Sequence, residues 1–238
     1  MPETLIEKAE TEEMIIISNG IYARYIKRPM DFILSLCAVI VLSPILLILT
    51  VIGAIVMKGN PFFVQERPGK IDPKTGKERI FKLIKFRTMT CEKDKDGKLL
   101  PDDQRLTPYG NWLRKCSLDE LLELINILKG DMSIVGPRPL LVKYLPLYSK
   151  KQRHRHDVRP GLTGNAQAHG RNGLDWDEKF NLDIDYIENI TFLGDVKIIF
   201  DTFYSVITHK GITQEGQATM EDFEEYVNSK NPKNYINN

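Results

Sequence analysis

Residues 32–57 read FILSLCAVIVLSPILLILTVIGAIVM, an apolar run without a single charged side chain. As a straight helix this run would reach roughly 39 Å, which exceeds a hydrocarbon core of about 30 Å. The run begins far from residue 1 and is longer than the apolar part of a usual signal peptide. It therefore predicts a helix that enters a membrane.

Two features bear on whether this helix spans the membrane or bends back. Pro44 removes a helical hydrogen bond near the middle, and the hydroxyl of Ser43 is one of the few groups that could satisfy a freed carbonyl in lipid. Basic residues flank both ends, namely Arg24, Lys27, Arg28 and Lys58. A re-entrant helix keeps both ends on the cytoplasmic side, where positive charge is favoured, whereas a kinked spanning helix does not. These residues alone leave both alternatives open.

The composition excludes several classes of function. The 33 Lys and Arg residues nearly balance the 32 Asp and Glu residues, so no global positive field points to nucleic acid. The cysteines and histidines lack the spacing of metal ligands, and the three cysteines predict free thiols in a reducing compartment. A basic cluster at 150–156 suits an anionic surface or a phosphate, although a solvated helix face is the usual explanation of such clusters.

Downstream of the apolar run, the pattern predicts a small α+β unit in which helices dominate. Short strands are predicted at 61–65 and 80–89, with a polar turn around residues 72–76 between them. The predicted helices cover 118–129, 142–155, much of 175–206 and a short stretch at 221–227. The predicted organisation is an N-terminal extension at 1–22, the membrane helix at 23–58, a folded domain at 59–210 and a polar tail at 211–238.

Asp119 and Glu120 stand at the predicted start of the helix over 118–129. Ser117 and Glu120 fit a capping box, and acidic residues in a first turn offset the helix dipole, which is the usual role of such a pair. Adjacent carboxylates can also hold Mg²⁺, whose remaining positions go to water and substrate phosphates. One carboxylate could then attack phosphorus while the metal neutralises the developing charge.

Such chemistry needs cations nearby, and the segment Gly136-Pro137-Arg138-Pro139 offers one. The two prolines restrict the backbone around Arg138, which preorganises its guanidinium for a phosphate or carboxylate. A loop stiffened for stability, with Arg138 on a structural acid, explains the pattern equally well. Further candidate cations are Lys85, Arg87, Arg159 and Arg171.

The order and spacing of several short motifs resemble those of the small monotopic phosphoglycosyl transferases of bacteria, from about residue 25 to residue 223. The motifs are Lys27-Arg28-Pro29-Met30-Asp31-Phe32, the Ser43-Pro44 pair, Gln65-Glu66-Arg67-Pro68-Gly69, residues 81–89, Ser117-Leu118-Asp119-Glu120-Leu121, residues 128–133, Val135-Gly136-Pro137-Arg138-Pro139-Leu140 and residues 158–164. Each motif alone is weak evidence, whereas the combination is specific.

The resemblance implies a re-entrant helix broken at Ser43-Pro44 and a catalytic domain, residues 59–210, on the cytoplasmic face of the bacterial inner membrane. It implies that Asp119 is the nucleophile and a Mg²⁺ ligand, and that Glu120 assists either through the metal or by polarising the second acceptor. The implied reaction moves a sugar 1-phosphate from a UDP-sugar to a polyprenol (undecaprenyl) phosphate and releases UMP, through a phosphosugar-aspartate intermediate. The residues expected to bind substrate are Lys85, Arg87, Arg138, Arg159, Gln167 and Arg171.

The expected partners are therefore a UDP-sugar, a polyprenol phosphate and membrane lipid, but not nucleic acid, and homodimer formation is left open. Asn165 and His169 stand where the resemblance leads us to expect a Trp and an Asn, so the sugar is undetermined. An inactive membrane-anchored scaffold is the alternative function. It would predict damage to the Asp-Glu dyad or to the Pro-Arg-Pro turn, and both are intact.

Overall fold

The computed structural model describes residues 15–170, 173–208 and 222–230. Its helices are α1 (Lys27–Val56), α2 (Asp102–Arg105), α3 (Pro108–Lys115), α4 (Glu123–Lys129), α5 (Lys150–Arg153), α6 (Asn165–His169), α7 (Trp176–Glu188), α8 (Phe192–Ile207) and α9 (Phe223–Lys230). Its strands are β1 (Phe62–Asp72), β2 (Lys77–Phe86), β3 (Ser133–Val135) and β4 (Gly161–Thr163). Many short helices with two small two-stranded sheets confirm the mixed, mainly helical class.

Helix α1 follows a π-helical turn at Tyr22–Ile26 and continues through Pro44 to Val56. Among the described residues, this stretch is the one long and apolar enough to cross a membrane. Pro44 has no N–H to donate to the carbonyl of Ile40, four residues earlier. The hydroxyl of Ser43 donates to that carbonyl instead, at 2.8 Å. The serine therefore satisfies the group that the proline leaves free, and the helix continues to Val56. The expected break of the helix at Ser43-Pro44 is wrong for this reason.

One face of α1 is hydrogen-bonded to the folded domain near both ends of the helix. Close to its start, Arg28 donates to carbonyls at the end of α4, and Asp31 accepts a hydrogen bond from Ser133 at 2.6 Å. Close to its other end, Tyr109 donates to the carbonyl of Leu49 at 2.8 Å. Much of the remaining surface of α1 consists of exposed Ile, Leu and Val side chains. This bare apolar surface identifies the chain as membrane-associated.

The strands β1 and β2 form an antiparallel hairpin in which Phe62 lies opposite Phe86. Its turn includes Gly76, whose positive φ of 65° favours glycine. The predicted strands and turn are confirmed in position, but β1 is longer than predicted. Strand β2 ends three residues earlier than predicted because the chain changes its partner after Arg87. The carbonyl of Thr88 accepts a hydrogen bond from the N–H of Thr107, and Met89 forms a bridge with Leu106.

The predicted helix over 118–129 is interrupted, and the predicted capping box is wrong. Ser117 has left-handed backbone angles, φ 54° and ψ 23°, and its side chain makes no capping hydrogen bond. An N-cap residue needs extended backbone geometry, which Ser117 does not have. A 3₁₀ turn at Leu118–Glu120 follows, and α4 begins only at Glu123.

The two longer predicted helices are also divided. The stretch 142–155 forms a 3₁₀ segment that contains Pro146, then α5, then a second 3₁₀ segment. The stretch 175–206 forms α7 and α8, with Asp175 and Thr191 as their side-chain N-caps. The short helix predicted at 221–227 is α9, whose Phe223 is fully buried among aromatic side chains.

The parallel strands β3 and β4 bring Gly136 into backbone contact with the glycine-containing segment 161–164. A Cβ atom added to Gly161 would lie 2.1 Å from the amide nitrogen of Gly136, and one on Gly164 would lie 2.2 Å from the oxygen of Gly136. These glycines are therefore required by the close approach of the two strands. They also fix where the Pro-Arg-Pro turn leaves β3.

Candidate active site

The dyad Asp119-Glu120 lies on the 3₁₀ turn between α3 and α4. The residue that precedes this turn by one position, Ser117, is one of two non-glycine residues with positive φ in the described part of the chain. Backbone conformations of this kind cost energy and cluster at functional sites, where the surrounding structure holds them. The turn places both carboxylates at the entry to α4, partly exposed.

Glu120 is the centre of an ion network assembled from distant parts of the chain. Its Oε1 atom lies 2.7 Å from Nζ of Lys85 on β2 and 2.7 Å from Nη2 of Arg138 in the Pro-Arg-Pro turn. Burial by itself would raise the pKa of Glu120, but Arg138 and Lys85 hold that pKa far below its usual range. Glu120 is therefore ionised, and its Oε2 atom accepts no hydrogen bond from the described residues.

The carboxylate of Asp119 makes no hydrogen bond or ion pair with residues in the described ranges. Burial and the adjacent Glu120 raise its pKa, while Lys85, Arg138 and Arg114 act in the opposite direction. Asp119 is thus a carboxylate that is surrounded by cations but engaged by none. A group of this kind can bind a metal ion or attack an electrophile.

The donor set of the dyad fits Mg²⁺. Residues 15–170, 173–208 and 222–230 contain no cluster of three or more His, Cys, Asp or Glu side chains that could hold a metal. Mg²⁺ does not need one, because it is commonly bound by one or two carboxylates together with water and substrate phosphates. Both oxygens of Asp119 and the Oε2 atom of Glu120 are available for this role.

Glu123 is a third carboxylate of the site, and sequence reasoning missed it. Its side chain is only 2% exposed, and its Oε1 atom lies 3.0 Å from Nζ of Lys85. Burial and the neighbouring Glu120 raise the pKa of Glu123 to about 7. The sequence signal was an acidic residue between Leu122 and Leu124, within a run that is otherwise apolar.

Two arginines, the buried Arg155 and the partly buried Arg67, hold the backbone of the Pro-Arg-Pro turn. Nη2 of Arg155 donates to the carbonyl of Arg138 at 2.8 Å, and Nη1 of Arg67 donates to the carbonyl of Pro139 at 3.3 Å. The side chain of Arg138 remains 43% exposed while it contacts Glu120. Of the two interpretations of this turn, the structure thus favours an arginine directed at the dyad.

The basic cluster at 150–156 is not a single charged surface. Arg155 is 3% exposed and pairs with Asp183 at 2.6 Å. His156 is equally buried, and burial together with the adjacent Arg155 lowers its pKa to about 3, so the ring is neutral. The interpretation of 150–156 as one anion-facing cluster is therefore wrong, because its last two residues are buried.

The structure gathers some of the predicted substrate-binding residues and separates others. Lys85 and Arg138 contact the dyad, whereas Arg159 donates to the carbonyl of Gly130 at 2.9 Å, at the opposite end of α4. Arg87 follows β2, and its side chain forms no hydrogen bond or ion pair within the described residues. Gln167 donates to the carbonyl of Leu162 at 3.1 Å. Arg171 lies outside the described residues.

Comparison with known proteins identifies the family of the chain. The profile of the bacterial sugar transferase family matches residues 22–209. The chain is 49% identical over 192 residues to an uncharacterized sugar transferase, EpsL, of Bacillus subtilis, covering 81% of this chain and 90% of EpsL. The chain therefore belongs to the bacterial sugar transferase family, which confirms the resemblance drawn from the motifs.

Two further relatives carry more specific names. An undecaprenyl-phosphate galactose phosphotransferase of Salmonella typhimurium is 33% identical over 208 residues, covering 79% of this chain and 42% of the relative. A UDP-N-acetylgalactosamine-undecaprenyl-phosphate N-acetylgalactosaminephosphotransferase of Aeromonas hydrophila is 34% identical over 204 residues, covering 82% of this chain and 47% of the relative. The chain thus spans nearly all of EpsL but less than half the length of these two proteins.

Proposed function

We propose that the protein transfers a sugar 1-phosphate from a UDP-sugar to a polyprenol phosphate and releases UMP. The observation that carries this proposal is the carboxylate of Asp119, which makes no hydrogen bond or ion pair within the described residues. It lies next to Glu120, and Lys85 and Arg138 hold Glu120 ionised. The names of the Salmonella and Aeromonas relatives describe sugar-phosphate transfer to undecaprenyl phosphate, which supports the same reaction type.

The proposed reaction has two displacements at one phosphorus atom. A carboxylate oxygen of Asp119 attacks the β-phosphorus of the UDP-sugar, a bond from that oxygen to phosphorus forms, and the bond to the bridging oxygen breaks so that UMP leaves with that oxygen. A phosphate oxygen of the polyprenol phosphate then attacks the same phosphorus, and the bond to Asp119 breaks. The aspartate is regenerated, and the kinetics are ping-pong.

The cations of the site have distinct tasks in this scheme. Asp119 must be ionised to attack, and burial opposes its ionisation, so the nearby Lys85, Arg138 and Arg114 favour the reactive form. Arg138 is half exposed, and its backbone is held by a hydrogen bond from Arg155. Its guanidinium can therefore donate two parallel hydrogen bonds to a phosphate. Bound by Asp119 and Glu120, Mg²⁺ would neutralise charge on the phosphate oxygens.

We also propose that α1 is re-entrant and that the catalytic domain lies on the cytoplasmic face. Support comes from the contacts of Asp31 with Ser133 and of Leu49 with Tyr109, which fasten both ends of the apolar helix to one domain. These two contact points are separated by about 27 Å along a straight helix, close to the thickness of a hydrocarbon core. A helix perpendicular to the membrane would carry one of the contacts to the opposite surface.

Cysteine labelling tests this topology. The three native cysteines are replaced by Ser, and Asn19→Cys or Gly59→Cys is introduced in an exposed position on either side of α1. A membrane-impermeant maleimide should label neither variant in spheroplasts and both after permeabilisation. Labelling of one of the two in intact spheroplasts would show that the helix spans the membrane.

UMP release by the purified full chain in detergent, with Mg²⁺, undecaprenyl phosphate and a panel of UDP-sugars, tests the reaction. We expect release with at least one sugar, dependent on Mg²⁺ and on the lipid for full turnover. Asp119→Asn should abolish release, whereas Asp103→Asn, the same change at an exposed aspartate of α2, should preserve it. If the folded protein releases no UMP with any sugar of the panel, the alternative of an inactive membrane-anchored scaffold is favoured.

A further inference from the structure

A second basic site lies at the other end of α4 from the dyad. A cavity of about 80 Å³ adjoins the first turns of α1. Its charged lining residues are Lys27, Arg28, Asp31, Lys70 and Arg159. Neither Asp119 nor Glu120 reaches this cavity, and the proposed reaction assigns it no task.

The positive charge of the cavity exceeds its negative charge. Lys27 is paired with Asp195 at 2.5 Å and lies 3.9 Å from Asp31. Arg28, Lys70 and Arg159 have no carboxylate within ion-pair distance among the described residues. Burial and the neighbouring Arg28 lower the pKa of Arg159, while burial and Arg159 lower that of Lys70. Like charges that repel one another in this way are stabilised by a bound anion.

Hydrogen-bond donors also remain available in the cavity. Arg159 uses Nε to bond the carbonyl of Gly130, and this bond fixes the guanidinium. Its two terminal nitrogens, and the ammonium of Lys70, have no hydrogen-bond partner within the described ranges. Both terminal nitrogens of Arg28 already donate hydrogen bonds to carbonyls at the end of α4. The capping of α4 therefore explains Arg28 and one bond of Arg159, but it does not explain Lys70.

The position of the cavity indicates where its ligand comes from. Lys27, Arg28 and Asp31 are the last charged residues before the charge-free run that begins at Phe32. In a membrane-associated helix, this boundary between charged and apolar residues lies at the level of the lipid headgroups. A phosphate group has the charge for the three unpaired cations and the oxygens for the free donors of Lys70 and Arg159.

We propose that this cavity binds a phosphate group, at a site separate from the candidate active site. A lipid headgroup and free inorganic phosphate both supply this chemistry, and the boundary position of the cavity favours the lipid. The proposal does not depend on the proposed reaction, since none of these residues contacts the dyad. It also gives Arg159 a phosphate ligand away from Asp119.

The test measures binding to the full chain in a non-ionic detergent. The thermal midpoint is followed as inorganic phosphate, short-chain phosphatidylglycerol or, as a lipid without phosphate, short-chain diacylglycerol is added. We expect phosphatidylglycerol to stabilise the wild-type protein and diacylglycerol to have no effect. Stabilisation by inorganic phosphate as well would identify free phosphate as a second source for the same site.

Two matched variants locate the site. Lys70→Gln removes a cavity cation that is exposed and makes no side-chain bond, so the variant should fold normally. It should weaken the binding of phosphatidylglycerol by roughly five-fold, the effect of one basic residue near an anionic headgroup. Lys95→Gln, the same change in an exposed loop, should bind like the wild type. The proposal is overturned if neither phosphate compound stabilises the protein, or if both variants bind equally.

Discussion

Replacing Glu123 by Gln removes a buried carboxylate that the proposed chemistry does not use. The side chain is 2% exposed and lies 3.0 Å from Lys85, a lysine that it shares with Glu120. Burial and the neighbouring Glu120 raise the pKa of Glu123 from 4.5 to about 7. The difference between these two pKa values corresponds to about 3 kcal/mol.

The sign of the effect on stability follows from proton binding. Between pH 4.5 and about pH 7 the folded protein holds a proton on Glu123 that the unfolded chain has lost. Folding stability therefore falls as the pH rises through this window. Below it, the residue is protonated in both states and costs nothing. Above it, the residue is ionised in both states and the full cost of about 3 kcal/mol applies.

Gln imitates the protonated carboxyl at every pH, so Glu123→Gln should match the wild type near pH 4.5 and be more stable at pH 8. For a chain of this length, about 3 kcal/mol corresponds to a rise in Tm of roughly 6–12 °C. The assay is thermal unfolding in detergent with EDTA, so that no divalent cation is bound. Glu188→Gln, at an exposed glutamate, should change Tm little at either pH. A gain that is the same at both pH values, or a loss at pH 8, would refute the reasoning.

Three further variants test the supports of the site. Asp183→Asn leaves the buried Arg155 without its counter-ion. The free energy of unfolding should fall by about 3–5 kcal/mol, and UMP release should fall as well. A variant as stable as the wild type would contradict the role of this pair. Gly110→Ala places a methyl group 1.9 Å from a backbone oxygen, so its Tm should drop clearly, whereas Gly173→Ala, in open space, should have an unchanged Tm. Ser117→Val should be about 1–2 kcal/mol less stable than Ser117→Gly in denaturant unfolding, because a β-branched residue is strained at this positive φ; equal stabilities would argue against the left-handed backbone.

Features that depend on neighbouring residues in the chain were predictable. The β1–β2 hairpin follows from two apolar runs around a polar, glycine-containing turn. The rescue of the Ile40 carbonyl by Ser43 follows from the position of a hydroxyl beside Pro44. Lys85 and Arg138 were candidates for a chemical reason, because phosphate chemistry at a carboxylate pair needs cations. Their contacts with Glu120, 35 and 18 positions away, do not follow from any local pattern.

Features that depend on a single backbone angle or a distant partner were not predictable. The capping box failed because Ser117 adopts left-handed geometry, which its sequence neighbours do not reveal. The inward turn of Arg155 depends on Asp183, which is 28 positions further along the chain. The separation of Arg159 from the dyad depends on which end of α4 receives it. Such long-range packing is absent from any local pattern.

Intact-protein mass spectrometry tests the central proposal most directly. The purified chain is incubated with Mg²⁺ and a UDP-sugar that supports UMP release, without polyprenol phosphate. We expect the mass to rise by one sugar phosphate, the added mass to disappear when polyprenol phosphate is supplied, and Asp119→Asn to remain unmodified. Release of UMP without a mass increase, or the same adduct on Asp119→Asn, would contradict the assignment of Asp119 as the nucleophile.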